Sequence, residues 1–208
     1  MELYEAMNQR RTIRDFLDKE VPAERISKII NAGLKAPTND HLRSWEFIVI
    51  SDKEEKARII KEIPKTFTQK EVTDFMDSLN MTDVCQRAMY MDGVPKQYSM
   101  LYHSGCLILP LFRQDHPLLK PDSLNALNNF ASIWCCIENI LLAATADGLG
   151  CVTRIPFPNE REYLKEALGH PENYYIPCYI SIGYPTENAV RNVQHEYDAK
   201  EKIHQNRW

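Results

Sequence analysis

Arg10, Arg11, Thr12 and Arg14 place three guanidinium groups and a hydroxyl within five residues of one another near the start of the chain. Guanidinium forks suit the oxygens of a phosphate, and a threonine hydroxyl with backbone N–H groups adds donors without bulk. The pattern reads as an anion site. A second reading stands beside it. Leu3, Ala6 and Met7 are spaced as a short amphipathic helix, and Arg10 and Arg11 would complement its C-terminal dipole.

Other chemistry finds no support in the residue pattern. There is no GxxxxGK[ST] loop and no full GxGxxG, and Gly148-Leu149-Gly150 alone is an ordinary helix cap. His41, His103, His116, His170, His195 and His204 form no HExxH motif and no paired Cys/His spacing, so no metal is expected. Cys135-Cys136 lie in an apolar helical stretch and read as packing, and no GxSxG elbow is present.

The arginine cluster opens an ordered set: Arg10-Arg11-Thr12-Ile13-Arg14-Asp15-Phe16, then Val21-Pro22, a helical stripe, Ala36-Pro37-Thr38-Asn39, and Trp45 leading into Phe47-Ile48-Val49. Gly148-Leu149-Gly150 and Gly183-Tyr184-Pro185 follow at later positions. This order resembles the FMN-dependent nitroreductase family over nearly the whole chain. The resemblance implies that Arg10 and Thr12 bind the FMN phosphate, with Arg11 contributing at least its backbone, while Arg14 approaches the N1/O2 edge of the isoalloxazine. Arg191 matches a further phosphate-binding cation from near the C-terminus. Pro37, Thr38, Asn39 and His41 match the segment that holds the flavin, often in a site shared with a second subunit. The chain departs from the family here: His41-Leu42-Arg43-Ser44 stands where relatives have Asn-x-Gln-Pro. Pro156 likewise has no N–H to offer, so the donor to flavin N5 falls to Ile155. The Arg154 side chain beside it would then shape the substrate side.

The resemblance implies an α+β nitroreductase-like fold: an antiparallel-dominated sheet of about four strands per subunit, wrapped by helices and completed by a partner's C-terminal arm in a homodimer. It implies NAD(P)H-dependent reduction of a small oxidant such as a nitroaromatic, quinone or flavin by ping-pong hydride transfer, with NADH or NADPH as reductant. No side chain is then an obligatory acid or base, because the cofactor carries the difficult step. Alternatives are an FMN-binding carrier or regulatory module without turnover, and a flavin-fragmenting or dehalogenating relative.

The elements that must position these residues follow from the pattern. Pro22 at a first helical position and Glu24 in the first turn open a helix with Ile26, Ile29, Ile30, Gly33 and Leu34 on one stripe, ending at Pro37. Trp45 to Ile50 is apolar on both parities, which suits a strand covered on both faces. Ser51 and Glu54 signal a helix that stops before Pro64. From Lys65 to Ser104, aromatic and methionine residues scatter without a period; they suit helix packing or the lining of an adaptable pocket. Cys106 to Leu109 should form a strand that ends or bulges at Pro110. The longest helix should run from Asp122 or Ser123 to Ala146, capped by left-handed Gly148 and apolar around more than one stripe, so buried in a core or across a subunit interface. Asn159 and Glu162 open a short helix closed by Gly169, and Ile176 to Ile182 alternate as a last strand with Pro177 at its start or edge.

With 208 residues, 44% hydrophobic composition and no internal repeat, residues 1–208 form one domain with 185–208 as a polar C-terminal arm. A net charge of -4 argues against nucleic-acid or anionic-membrane partners. Six cysteines without a CxxC pair read as mostly buried reduced thiols, which with the acidic N-terminus and the lack of a spanning apolar run suits a cytoplasmic location.

Overall fold

A computed structural model describes residues 1–208. The sheet contains β1 (Trp45–Ile50), β2 (Cys106–Arg113), β3 (Gly150–Arg154), β4 (Tyr174–Tyr175) and β5 (Tyr179–Gly183). Its order is β1-β2-β5-β3, every pairing is antiparallel, and β4 adds to the far end of β2. Helices are α1 (Leu3–Gln9), α2 (Ala23–Gly33), α3 (Lys53–Ile59), α4 (Gln69–Ser78), α5 (Val84–Gly93), α6 (Ser99–Tyr102), α7 (Asn128–Ala146) and α8 (Pro158–Leu168). The expected α+β nitroreductase-like architecture is present.

Strand β2 explains why the sheet must be covered twice. Cys106, Ile108 and Phe112 face one core with α2 and α7, while Leu107, Leu109 and Leu111 face another with α3, α6 and α8. A strand alternates its side chains between faces, so a run apolar on both parities needs helices on both sides. Helix α2 supplies Ile26 and Ile29, and α7 supplies Ile133, Cys136, Ile137, Ile140 and Ala144. Their backbones approach closely at Gly33, where a Cβ would lie 2.6 Å from Ile140 Cγ1.

Several boundaries differ from expectation. Pro110 neither ends nor visibly breaks β2, which continues to Arg113. The ladder to β5 stops at Ile108↔Ile180 and resumes to β4 at Phe112↔Tyr175, so Pro110 sits where no donor is needed on that side. The last strand is correspondingly split: Pro177 lies in the gap between β4 and β5, and three residues of β2, Leu109 to Leu111, face four on the partner, Ile176 to Tyr179, one extra residue as in a bulge. Helix α3 is capped by Asp52, whose carboxylate accepts from Glu55 N, instead of by Ser51. Helix α7 begins at Asn128 after a 3-10 turn over Leu124–Leu127, later than Asp122 or Ser123. Helix α8 starts earlier than Asn159, with Pro158 at its first turn and Glu160 accepting from Phe157 N.

Leu124–Ala146 is long and apolar enough to cross a bilayer, with a mean hydropathy of 1.3, yet its Ile133–Ile140 stripe packs on the sheet. Only 33% of it is buried within the chain. Gly148 caps it with φ +75°, in the left-handed region, as expected.

Candidate functional site

Thr12 and Ile13 run beside the start of β3, and Asp15 to Leu17 continue beside Tyr184–Thr186. Thr12 forms a parallel bridge with Cys151, and Ile13 N donates to Cys151 O at 3.0 Å. Ile13 is buried against Gly150, where a Cβ would come within 2.9 Å of the isoleucine, so the bare glycine allows the two segments to touch. Pairing with β3 fixes the alternation of the arginines, and Arg14 lines one cleft together with Thr153. The anion-site segment and the end of β3 are thus one edge of the molecule.

At one end of this edge Arg10 lies 3.6 Å from Glu138 of α7 and is partly exposed. Arg11 donates from Nη1 to Asn8 O and Arg10 O, closing the end of α1, as the helix-end reading of the pair has it. Arg11 also faces Arg191 across a small cavity floored by Gly148, Leu149 and Gly150. Of the expected phosphate set, Arg11 and Arg191 share one cavity at the start of β3, while Arg10 lies on the Glu138 side and Thr12 pairs with Cys151.

At the other end, Arg14 donates from Nη1 to Asp92 Oδ2 at 3.0 Å, with both side chains nearly buried. Asp92 is shared with Lys96, which also binds Asp15 at 2.7 Å. Gly93 gives the guanidinium its seat, since a Cβ there would stand 3.0 to 3.2 Å from its atoms. Met89, Tyr90, Val94, Met100 and Val152 complete the cleft. The residues from Lys65 to Ser104 accordingly serve both expected roles: Val72 and Met76 form a small core of their own, while Met89, Tyr90 and Met100 line the cleft.

Ile155 follows β3 and is exposed. Its N–H lies beyond the last ladder pair, Arg154↔Tyr179, and enters no backbone hydrogen bond. Arg154 borders the Arg14 cleft, and its guanidinium is held there by both carboxylate oxygens of buried Glu160 and donates to Gln97 Oε1 at 3.0 Å. Sequence reasoning missed this pair. The six-residue spacing across a turn is a weak signal, and only burial shows its meaning.

Pro37, Thr38, Asn39 and His41 are placed elsewhere. Asn39 N donates to Ser132 Oγ, and Asn128 donates to Asn39 Oδ1, so the segment lies on the first turns of α7. Glu138, which meets Arg10, is six residues beyond Ser132, roughly 9 Å along the helix. Asp40, His41 and Arg43 all have positive φ (52°, 55° and 46°), a costly backbone for non-glycine residues and one that holds His41 and Leu42 out to solvent.

The sequence model described as "Nitroreductase family" matches residues 7–184. The chain belongs to the nitroreductase family. It is 26% identical over 195 residues to an iodotyrosine deiodinase of Haliscomenobacter hydrossis, covering 91% of this chain and 82% of that protein. It is 27% identical to a putative NADH dehydrogenase/NAD(P)H nitroreductase of Archaeoglobus fulgidus, covering 96% and 94%. Its fold matches that of oxidized iodotyrosine deiodinase bound to FMN and 3-iodo-L-tyrosine with a TM-score of 0.71, at 19% identity over 100% of both chains. Family membership agrees with the ordered motifs from Arg10 to Pro185.

Proposed function

We propose that this protein binds FMN and uses it to pass a hydride from NADH or NADPH to a small oxidant by a ping-pong route. The observation that carries this reading is the edge made by residues 10–16 beside β3: a cluster of arginines at one end, and Arg14 with the free Ile155 N–H at the other. That donor set fits a phosphorylated flavin: Arg10, Arg11, Thr12 and Arg191 for the phosphate, Arg14 for the N1/O2 edge and Ile155 N–H for N5. When bound, FMN supplies the two-electron chemistry. The chain's own residues position and polarise. Arg14, held by Asp92 and seated on Gly93, keeps a cation where negative charge accumulates on reduction, and the apolar cleft walls Met89, Tyr90 and Met100 exclude water from it.

Pro37, Thr38, Asn39 and His41 contribute from a second subunit in a homodimer. The arm supports this arrangement: Val190, Val193, Tyr197, Ile203 and Trp208 are all exposed apolar residues. Six unpaired thiols fit a reducing, cytoplasmic compartment.

Denaturing the purified protein and chromatographing the released flavin tests the cofactor, and FMN is the expected product; recovery of FAD alone, or no flavin after reconstitution with FMN, refutes it. Bleaching of the bound flavin by NADH or NADPH distinguishes an enzyme from a carrier. A second reading, reductive dehalogenation of a halogenated phenol, is favoured by the deiodinase relatives; halide release on turnover would select it.

A further inference from the structure

The C-terminal arm makes one contact that the flavin site does not use. His195 Nε2 lies 3.3 Å from Asp83 Oδ2, and Cys85 completes a cluster whose ligand atoms all fall within 4.8 Å of one another. We propose that Asp83, Cys85 and His195 bind a zinc ion that clamps the arm to the start of α5. Asp83 and Cys85 are neighbours in the chain, but His195 lies more than a hundred positions away, so no sequence spacing announces the set.

The geometry suits the ion. Two nitrogen or oxygen ligands about 2.0 to 2.1 Å from a tetrahedral zinc stand roughly 3.3 Å apart, which is the observed His195–Asp83 separation and is long for a direct hydrogen bond. A thiolate partner would stand roughly 3.5 Å from each, so Cys85 needs to close by about 1 Å at most. The donor set is selective: imidazole with thiolate favours zinc over calcium or magnesium, which take oxygen ligands. Asp83 can serve two purposes because its oxygens are divided. Oδ1 accepts from Gln86 N and caps α5, while Oδ2 faces His195. Asp83 and His195 are half-exposed, so an ion and a water in its fourth position can enter. Loading releases the thiol proton of Cys85 and leaves His195 neutral.

The clamp would matter to the cleft beside it. Helix α5 carries Met89, Tyr90 and Gly93 along the Arg14 cleft, and the arm also reaches Asp92 through Asn192 at 3.5 Å. A surface His–Asp pair alone holds the arm only weakly, because water screens it. A three-ligand metal site fixes both segments together.

The test uses the full chain, reduced and stripped with a chelator, titrated with zinc chloride against a chromophoric zinc indicator. One zinc per chain is expected, with Cys85→Ser and His195→Ala each weakening binding at least tenfold, since loss of even an outer partner of a ligand costs about 10- to 100-fold. Asp83→Asn should weaken it too while keeping the α5 cap, because asparagine caps as well as aspartate; circular dichroism checks that each variant is folded. Exposed His204, outside the cluster, serves as the control, and His204→Ala should bind as the parent does. Zinc should also slow tryptic cleavage after Lys200 and Lys202 in the parent and not in His195→Ala. No saturable binding, or equal binding by parent and variants, overturns the proposal.

Discussion

Replacing Glu160 by Gln should destabilise the protein by about 3 to 5 kcal/mol, the cost of leaving one member of a buried ion pair uncompensated. The side chains of Arg154 and Glu160 are 5% and 2% exposed, so water cannot take over the lost charge. The carboxylate also accepts from Phe157 N, and the guanidinium donates to Gln97; the substitution therefore strains the turn that joins β3 to α8 as well as the pair. For a chain of this size, with a urea m-value of about 2 to 3 kcal/mol/M, the unfolding midpoint should fall by roughly 1 to 2 M at fixed protein concentration. The paired change Arg154→Met with Glu160→Leu removes both charges and should recover most of the loss, because an apolar pair of similar volume is often as stable as the ion pair it replaces. Urea unfolding of the parent, Glu160→Gln and the double variant decides the matter. If Glu160→Gln costs less than about 1 kcal/mol, or if the double variant is no better than the single, the pair is not the buried clamp argued for here.

Gly148→Ala should cost about 1 kcal/mol although a Cβ there meets nothing within 4 Å, because φ +75° is strained for alanine; a thermal midpoint unchanged from the parent would refute this. Burial pushes the thiols of Cys106 and Cys151 up to about 11 and that of Cys136 to about 12. Their contribution is intact below about pH 9 and is lost above it, where the unfolded thiols ionise while the folded ones stay protonated, at about 1.4 kcal/mol per pH unit for each thiol. Denaturant midpoints from pH 8 to 10.5 should fall progressively, and Cys106→Ala should flatten the slope. Arg10→Ala should weaken FMN binding by about 1.5 to 3 kcal/mol with little change in midpoint potential, whereas Arg14→Ala should lower the potential; equal potentials in Arg14→Ala and the parent refute the ring-edge role.

The legible parts of the chain were those whose signals are local. Strand β1 and the stripe of α2 could be read directly from their local patterns, but β1 is an edge strand with Glu46 and Val49 exposed, not covered on both faces as its apolar run suggested. Gly148 likewise announced its left-handed cap locally. Pro110 misled because a proline's cost depends on whether its missing donor faces a partner, and the gap between β4 and β5 is a property of the sheet instead of the strand. The anion-site arginines could be named from their types, but the partners that orient them could not. Asp92 stands 78 residues from Arg14 in the chain, and Glu138 meets Arg10 only because α1 lies on α7. Cys135 shows the same limit: it adjoins buried Cys136 in an apolar run, yet it is exposed, because one helical step turns it from the core.

That turn of the helix bears on how the site is completed. Ala131, Cys135, Glu138, Leu142 and Thr145 recur along α7 at steps of four and three, opposite the buried stripe of Ile133, Ile137, Ile140 and Ala144. A seam at that period, only partly covered by α1 of its own chain, suits a second helix of the same kind. In a two-fold pairing the contacts are reciprocal, so two copies of α7 crossing antiparallel would set the first turns of one beside the later turns of the other. The first turns carry Asn39 through Asn128 and Ser132, and the later ones carry Arg10 through Glu138. Within one chain these groups are separated along the helix, and the pairing would bring the Thr38 segment of each subunit to the Arg10–Arg14 edge of its partner. In such a pairing the positive φ at Asp40, His41 and Arg43 would have a use: Asn39 stays anchored to its own α7 while the exposed His41 and Leu42 would face the neighbour.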